Sequence, residues 1–352
     1  MDIIKSPFGI TVNGDSIEKI DLINNHRVKV SILTYGGIIQ CIETSDEDGH
    51  FKDIVLGYDT LEAYEKDPYY MGAVIGPVAG RITSAQIPLN GKLLQLDSNA
   101  GKHHLHGGHM GLNKKIWLAE TEIKTDSVKV VLKTKAKNGE GGYPGNREFK
   151  TSYILNNKNQ LMVYFDAVSD ADTVVNMTSH SYFNLSNNAG DTINEHLIMI
   201  NSLKTIALTE ELIPNGSFDY VLGKPTNFSR GKLIGEALAQ MPTGLDHVYI
   251  INKVEGKFGI TAKVVHPENG RVLEIVTDQT AVVFYSNNFP KGDINGKQGL
   301  PINKHGAFCL ETQNIPDAPN HAGFPSIFIK AGEKYKSRTQ LTFGLASNSH
   351  HH

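Results

Sequence analysis

Cysteine is nearly missing from this chain: Cys41 and Cys309 are the only two in 352 residues. They lie far apart and form no C-x-x-C, which excludes a disulfide framework and fits a reducing compartment. Positive charge is not in excess either. Lys and Arg number 34 against 37 Asp and Glu, a formal net charge of −3. With no basic surplus to neutralise phosphates, nucleic acid is not expected as a partner. No run approaches the ~18 consecutive apolar residues of a membrane helix, so no membrane partner is expected. The first residues, M-D-I-I-K-S-P-F-G, lack the basic start and apolar run of a secretory leader, and the expected location is cytoplasmic. Helical periodicity is scarce. Residues 233–241, before Pro242, predict a short helix, and residues 61–65 a helical turn. There is no G-x-S-x-G, no P-loop and no dinucleotide glycine fingerprint.

What is abundant is the two-residue period. Residues 28–41 read V-K-V-S-I-L-T-Y-G-G-I-I-Q-C, rich in β-branched side chains. Residues 87–96, I-P-L-N-G-K-L-L-Q-L, place Asn-Gly between two apolar runs, a hairpin signal. Further strands are expected at 128–133, 151–155, 161–167, 197–200, 247–251, 259–266, 271–277 and 280–285. The 34 glycines suit the turns such strands need. Without repeat, linker or composition break, the chain reads as one all-β domain, a β-sandwich over residues 1–346. Residues 347–352, ending in His350, His351 and His352, read as a tag remnant.

Five places offer chemistry. G-K-H-H-L-H-G-G-H-M-G packs His103, His104, His106 and His109 into seven positions. On a strand His104 and His106 would share one face. Such a pair can start a metal site, but Gly107-Gly108 straight after speaks for close approach to a backbone or a ligand. Arg81 ends an apolar run, as a surface charge or as a donor facing a cleft. His180 sits in S-H-S-Y-F-N-L, Asp246 in T-G-L-D-H-V-Y-I, and Glu311 in A-F-C-L-E-T-Q-N. A carboxylate among desolvating neighbours can act as a base.

The motifs L-H-G-G, S-H-S-Y-F-N-L, G-L-D-H and F-C-L-E-T-Q-N, with P-D-A-P-N beyond, occur in the order seen in the aldose 1-epimerases, also called galactose mutarotases. The chain resembles that family from Tyr35 to Tyr335. The resemblance implies a large single-domain β-sandwich with an open sugar-binding cleft. It implies interconversion of the α and β anomers of free hexoses such as galactose and glucose, with no cofactor and no metal. By the same resemblance Glu311 is the catalytic base and His180 the acid. His106, Asp246, Arg81 and Gln279 bind the sugar. Relatives often read G-R-x-A-N-R-I where this chain reads G-P-V-A-G-R-I, so any sugar contact made by that Asn is absent here.

Ring opening takes a proton from the anomeric hydroxyl and gives one to the ring oxygen. This expects Glu311 ionised and His180 protonated in the working enzyme. Tyr182, Phe183, Phe284 and Tyr285 are candidates for a stacking wall. The alternatives are an enzyme for hexose 6-phosphates and a non-catalytic sugar-binding protein on the same fold. A small-molecule aldose is the expected partner, and a monomer the expected state.

Overall fold

The computed structural model describes residues 1–188, 190–288 and 294–347. Of the expected tag remnant, only Ser347 falls within them; the terminal histidines lie outside the described residues. Strands dominate, as the two-residue period requires. The two α-helices among the described residues are short, Leu61–Glu65 and Ile234–Leu238, each inside a stretch read as helical. The first is capped by Thr60, whose side chain accepts from the Ala63 N–H at 3.3 Å. No helix among the described residues is long and apolar enough to cross a membrane.

Three larger sheets organise the molecule. The first holds five strands in sequence order, from Asp2–Ile10 to Phe51–Asp53, each antiparallel to the last. Such a meander needs only short turns. The second has nine strands. Its C-terminal strand, Tyr335–Leu345, inserts between Gln160–Ser169 and Arg271–Thr277, tying the chain's end to its middle. The third has five strands in the order Pro214–Tyr220, Lys204–Leu208, Asp246–Ile250, Ala281–Tyr285 and Cys309–Gln313. The expected Asn90-Gly91 hairpin also forms, joining Gln86–Leu89 to Lys92–Gln95.

The alternation of side chains explains the packing. In Gln160–Ser169, Leu161, Val163, Phe165 and Ala167 are buried while their neighbours are half-buried. A sheet with one apolar face must cover it. All three sheets contribute to one core: Ile20 and Val30 from the first, Phe149 and Phe165 from the second, Tyr249, Val282, Phe284 and Leu310 from the third. A fully buried side chain of this size contributes about 1.5–3 kcal/mol. The third sheet is unusual in being apolar on its other face too. Ile206, Val248, Ala281 and Val283 join a second cluster there with Ile82 and Ile315. Asp246, Glu311 and Gln313 interrupt that face, and buried polar groups carry more information than buried apolar ones.

Phe284 is fully buried and meets Phe228 edge-on at 5.4 Å between centroids. Phe284→Ala is expected to cost about 3–5 kcal/mol, through lost transfer energy and a residual cavity. Urea unfolding followed by fluorescence measures it.

Candidate active site

The floor of the site is the third sheet. Its register places Val283 opposite Glu311 and Val248 opposite Val283; Tyr285 stands opposite both Asp246 and Cys309. Alternation then puts Asp246, Val248, Val283, Tyr285, Cys309, Glu311 and Gln313 on one face. The two carboxylate-bearing strands flank a single central strand, so they lie roughly 10 Å apart across the sheet. Between them stands an aliphatic floor. A cavity of about 330 Å³ opens above it, lined among others by Arg81, His106, His180, Asp246, Glu311 and Gln313.

Arg81 and His106 arrive together, because Leu105 pairs with Arg81 in a two-residue ladder. The strand carrying His104 ends at Leu105. His106 leaves it with a left-handed backbone, φ 50°, so His104 and His106 do not share the strand face expected of them. His106 is locked to Gly80 twice. Its N–H donates to the Gly80 carbonyl at 3.1 Å, and the Gly80 N–H donates to its Nδ1 at 3.0 Å. An imidazole that accepts at Nδ1 carries its hydrogen on Nε2. Burial, and then the charges of His180 and Arg81, hold its pKa well below the ordinary value. His106 is thus a neutral donor.

Two glycines explain the local sequence. A Cβ on Gly107 (φ 90°) would stand 2.0 Å from the Gly76 carbonyl oxygen, so the Gly pair serves close approach to a backbone. A Cβ on Gly80 (φ 81°) would meet Pro316 Cβ at 2.8 Å. No side chain fits at position 80 of this chain without moving Pro316. The remaining histidines are structural. His103 accepts from the Ser84 N–H at Nδ1 and pairs with Glu211. His104 is buried between the Asp97 carbonyl at 2.8 Å and the Tyr143 hydroxyl at 2.6 Å. The His109 N–H donates to Asp97 from an exposed loop.

His180 follows the short strand Thr178–Ser179, which pairs with Val74–Ile75. Its ring stacks on Tyr182 with centroids 5.0 Å apart and lies edge-on to His106 at 5.4 Å. Nε2 stands 3.6 Å from Glu311 Oε1, with both side chains buried. That oxygen has no hydrogen-bond partner among the described residues. Burial pushes the His180 pKa down to about 4. It pushes Glu311 up to about 8, helped by the charge of Asp246 and opposed by Arg81. Asp246 rises to about 6 for the same reason, again opposed by Arg81. The expected ionised pair is that of the working enzyme, with sugar bound. In the empty cavity desolvation favours the neutral pair, with the proton on Glu311 and His180 uncharged.

Gln279 does not belong to this group. It sits in the turn before Ala281–Tyr285, donates to Asp278 Oδ1 at 2.9 Å, and lines a separate cavity with Glu255 and Asn314. Four residues of strand separate it from Val283, about 13 Å at strand rise. The glutamine that reaches the site is Gln313, 1% exposed, with neither amide atom partnered among the described residues. Counting by two from Glu311 would have found it. Tyr69, Tyr70 and an aliphatic wall of Leu208, Leu212 and Pro214 also line the cavity; no sequence signal marked them. Of the expected aromatic wall, Tyr182 and Tyr285 line the cavity, whereas Phe183 and Phe284 point into the core. Donor atoms of His106, His180 and Glu311 lie within 4.8 Å of one another, a set able to hold a cation. Arg81 lines the same cavity, and its positive charge opposes one.

The sequence profile of the family Aldose 1-epimerase matches residues 18–342. The galactose mutarotase of Bos taurus is 35% identical over 349 residues, covering 98% of this chain and 100% of that protein. The galactose mutarotase of Homo sapiens is 36% identical over 347 residues, covering 98% and 99%. Among solved structures, the galactose 1-epimerase from Lactobacillus acidophilus superimposes with a TM-score of 0.86 at 26% identity, covering 98% of this chain and 99% of that one.

The raised Glu311 pKa has a consequence for stability. Its folded value, about 8, lies above the ordinary 4.5, so the folded state binds the proton more tightly. The stability this contributes is complete below pH 4.5 and is lost as pH rises through about 8. Glu311→Gln removes the buried charge and is expected to unfold later than wild type at pH 9, by on the order of 2–4 kcal/mol. Thermal melts of both proteins between pH 5 and 9 check this.

Proposed function

We propose, for a chain that belongs to the aldose 1-epimerase family and interconverts the α and β anomers of free aldoses, that Glu311 and His180 are its acid/base pair. Arg81, His106 and Asp246 hold the sugar. The observation that carries the reading is the 3.6 Å approach of His180 Nε2 to Glu311 Oε1 in a cavity shared with those three residues. Galactose and glucose are the proposed substrates, galactose because the relatives are named for it. At about 330 Å³ the cavity is at the small end for ligand sites, which suits one sugar ring.

The chemistry follows from the shared proton. A shift across the 3.6 Å contact turns the neutral pair into Glu311 carboxylate and His180 imidazolium. The carboxylate takes the proton of the anomeric hydroxyl while Nε2 protonates the ring oxygen, and the ring opens to the aldehyde. Rotation about the bond between the first two carbons presents the other face. Closure returns both protons with the roles exchanged. Each placed acid or base is worth about 10²–10⁴-fold, with an orientation gain beyond that. His106, fixed as a neutral donor, suits a sugar oxygen. Arg81 offsets the negative charge that Glu311 and Asp246 would otherwise concentrate. The walls formed by Tyr182, Tyr285 and the aliphatic floor suit the C–H faces of a pyranose.

The phosphorylated-sugar reading is less well supported, because Arg81 is the one cationic side chain among the described residues lining the cavity. We further infer a monomeric, cytoplasmic, single-domain enzyme over residues 1–346 that needs neither metal nor nucleic acid. The core shared by all three sheets supports the single domain.

Polarimetry of freshly dissolved α-D-galactose and α-D-glucose tests the reading. Wild type should abolish the slow drift in rotation, and Glu311→Gln should slow the enzymatic rate by about 10³-fold or more. No acceleration by wild type of either sugar would sink the free-hexose reading. The active form carries one proton on the pair. It is lost to a second proton below about 4 and to deprotonation above about 8. A bell-shaped kcat/KM profile with limbs near those values is therefore expected; a flat profile across them would contradict the assignment. Chelator-treated protein should keep its full rate. A rate that falls and returns with added zinc would instead make His106, His180 and Glu311 a metal site.

A further inference from the structure

The proposed mechanism leaves unused a thiol that touches its central imidazole. Cys309 is fully buried and lies on the cavity-facing side of its strand, two residues before Glu311. Alternate strand positions stand about 6.6–6.8 Å apart, enough for an imidazole to sit between their side chains. His180 does so. Its Nδ1 is 3.6 Å from Cys309 Sγ, and its Nε2 is 3.6 Å from Glu311 Oε1. One strand therefore meets both nitrogens of the ring. We infer that Cys309 is a positioning residue for the epimerisation: its sulfur accepts the Nδ1–H of His180, so that Nε2 alone exchanges protons with the sugar. This rests on the reading of His180 as the acid.

The reasoning is about tautomers. An imidazolium that gives its proton from Nε2 becomes the Nδ1–H form, and Nε2 can take the proton back. If Nδ1 lost its proton instead, the ring would be left as a fixed Nε2 donor, unable to act as a base toward the ring oxygen. Both working forms carry hydrogen on Nδ1, and a buried N–H needs an acceptor. Sulfur is a weak acceptor, and 3.6 Å suits its size. The neighbouring imidazole shows the opposite arrangement. His106 accepts the Gly80 N–H at Nδ1, which makes its Nε2 a permanent donor. Two histidines in one cavity are thus given different tasks by what meets Nδ1.

The identity of the acceptor matters as well. Burial and the charges of Glu311 and Asp246 push the Cys309 thiol well above its ordinary pKa, so it stays neutral. A carboxylate in its place would pin the imidazolium and hinder proton release. A neutral sulfur orients the ring while leaving both protonation states within reach.

Nitrogen NMR of the histidine side chains, with mutarotation kinetics on wild type, Cys309→Ala and Cys309→Ser, tests the inference. Between the two pH limbs, wild-type His180 should show the Nδ1–H tautomer. Cys309→Ala should mix the tautomers and lower kcat about 10-fold, the scale of a misaligned catalytic group, with KM changed less than about two-fold. Cys309→Ser keeps an acceptor and should hold most of kcat. An Nε2–H tautomer in active wild type overturns the inference alone, as does a Cys309→Ala enzyme within about two-fold of wild type. A loss of kcat that serine fails to restore, accompanied by an equal loss of thermal stability in both variants, also overturns it and makes Cys309 a packing residue. If the alanine variant does not fold, the tautomer in wild type and in the serine variant decides. Wild type inactive on every aldose would sink the acid/base reading itself, whatever the tautomer.

Discussion

The contact between His180 and Glu311 is the constraint around which the rest is arranged. Two ionisable groups, both buried, approach to 3.6 Å. Neither is stable there as an isolated charge, because a desolvated ion is expensive. Burial raises the pKa of Glu311 and lowers that of His180, which favours the neutral form of each. Epimerisation needs such a state: a base and an acid at the same moment, able to exchange roles without a net change in protonation.

That state depends on the sheet beneath it. The third sheet is apolar on both faces, and its buried interior neighbours, Val282, Phe284 and Leu310, fix the strands that carry Asp246 and Glu311. A one-residue slip in register would turn every cavity residue into the core. The opposite wall is set by glycines. Gly80 approaches Pro316, and Gly107 approaches the Gly76 carbonyl, closer than any side chain permits. This brings Arg81 and His106 over the floor. His103 and His104, which share the same loop, serve that placement through Ser84, Glu211 and Tyr143.

Much of this was legible in the sequence, and unevenly so. The two-residue period revealed an all-β chain, the Asn90-Gly91 hairpin and both short helical stretches, because these depend on local chemistry. The ordered motifs led to Arg81, His106, His180, Asp246 and Glu311, which the fold brings to one cavity. Gln279 lies outside that cavity: a turn residue and a strand residue look alike in a short motif, and only the register shows that Val283 and Gln313 face it. The shared face of His104 and His106 failed because a left-handed residue breaks strand alternation. The bias that burial puts on the pair in the empty cavity could not be read. It depends on how deeply two residues 131 positions apart are buried together, which is a property of the packed core.

The most direct test of the shared proton is infrared difference spectroscopy, wild type minus Glu311→Gln, titrated from pH 5 to 9 in the absence of sugar. A buried protonated carboxyl should contribute its own carbonyl band at neutral pH and lose it as pH rises through about 8. A carboxylate signature already complete at pH 6 would contradict it. Glu311 and His180 would then stand as a fixed ion pair, and the proton shift that opens the proposed cycle would have no place.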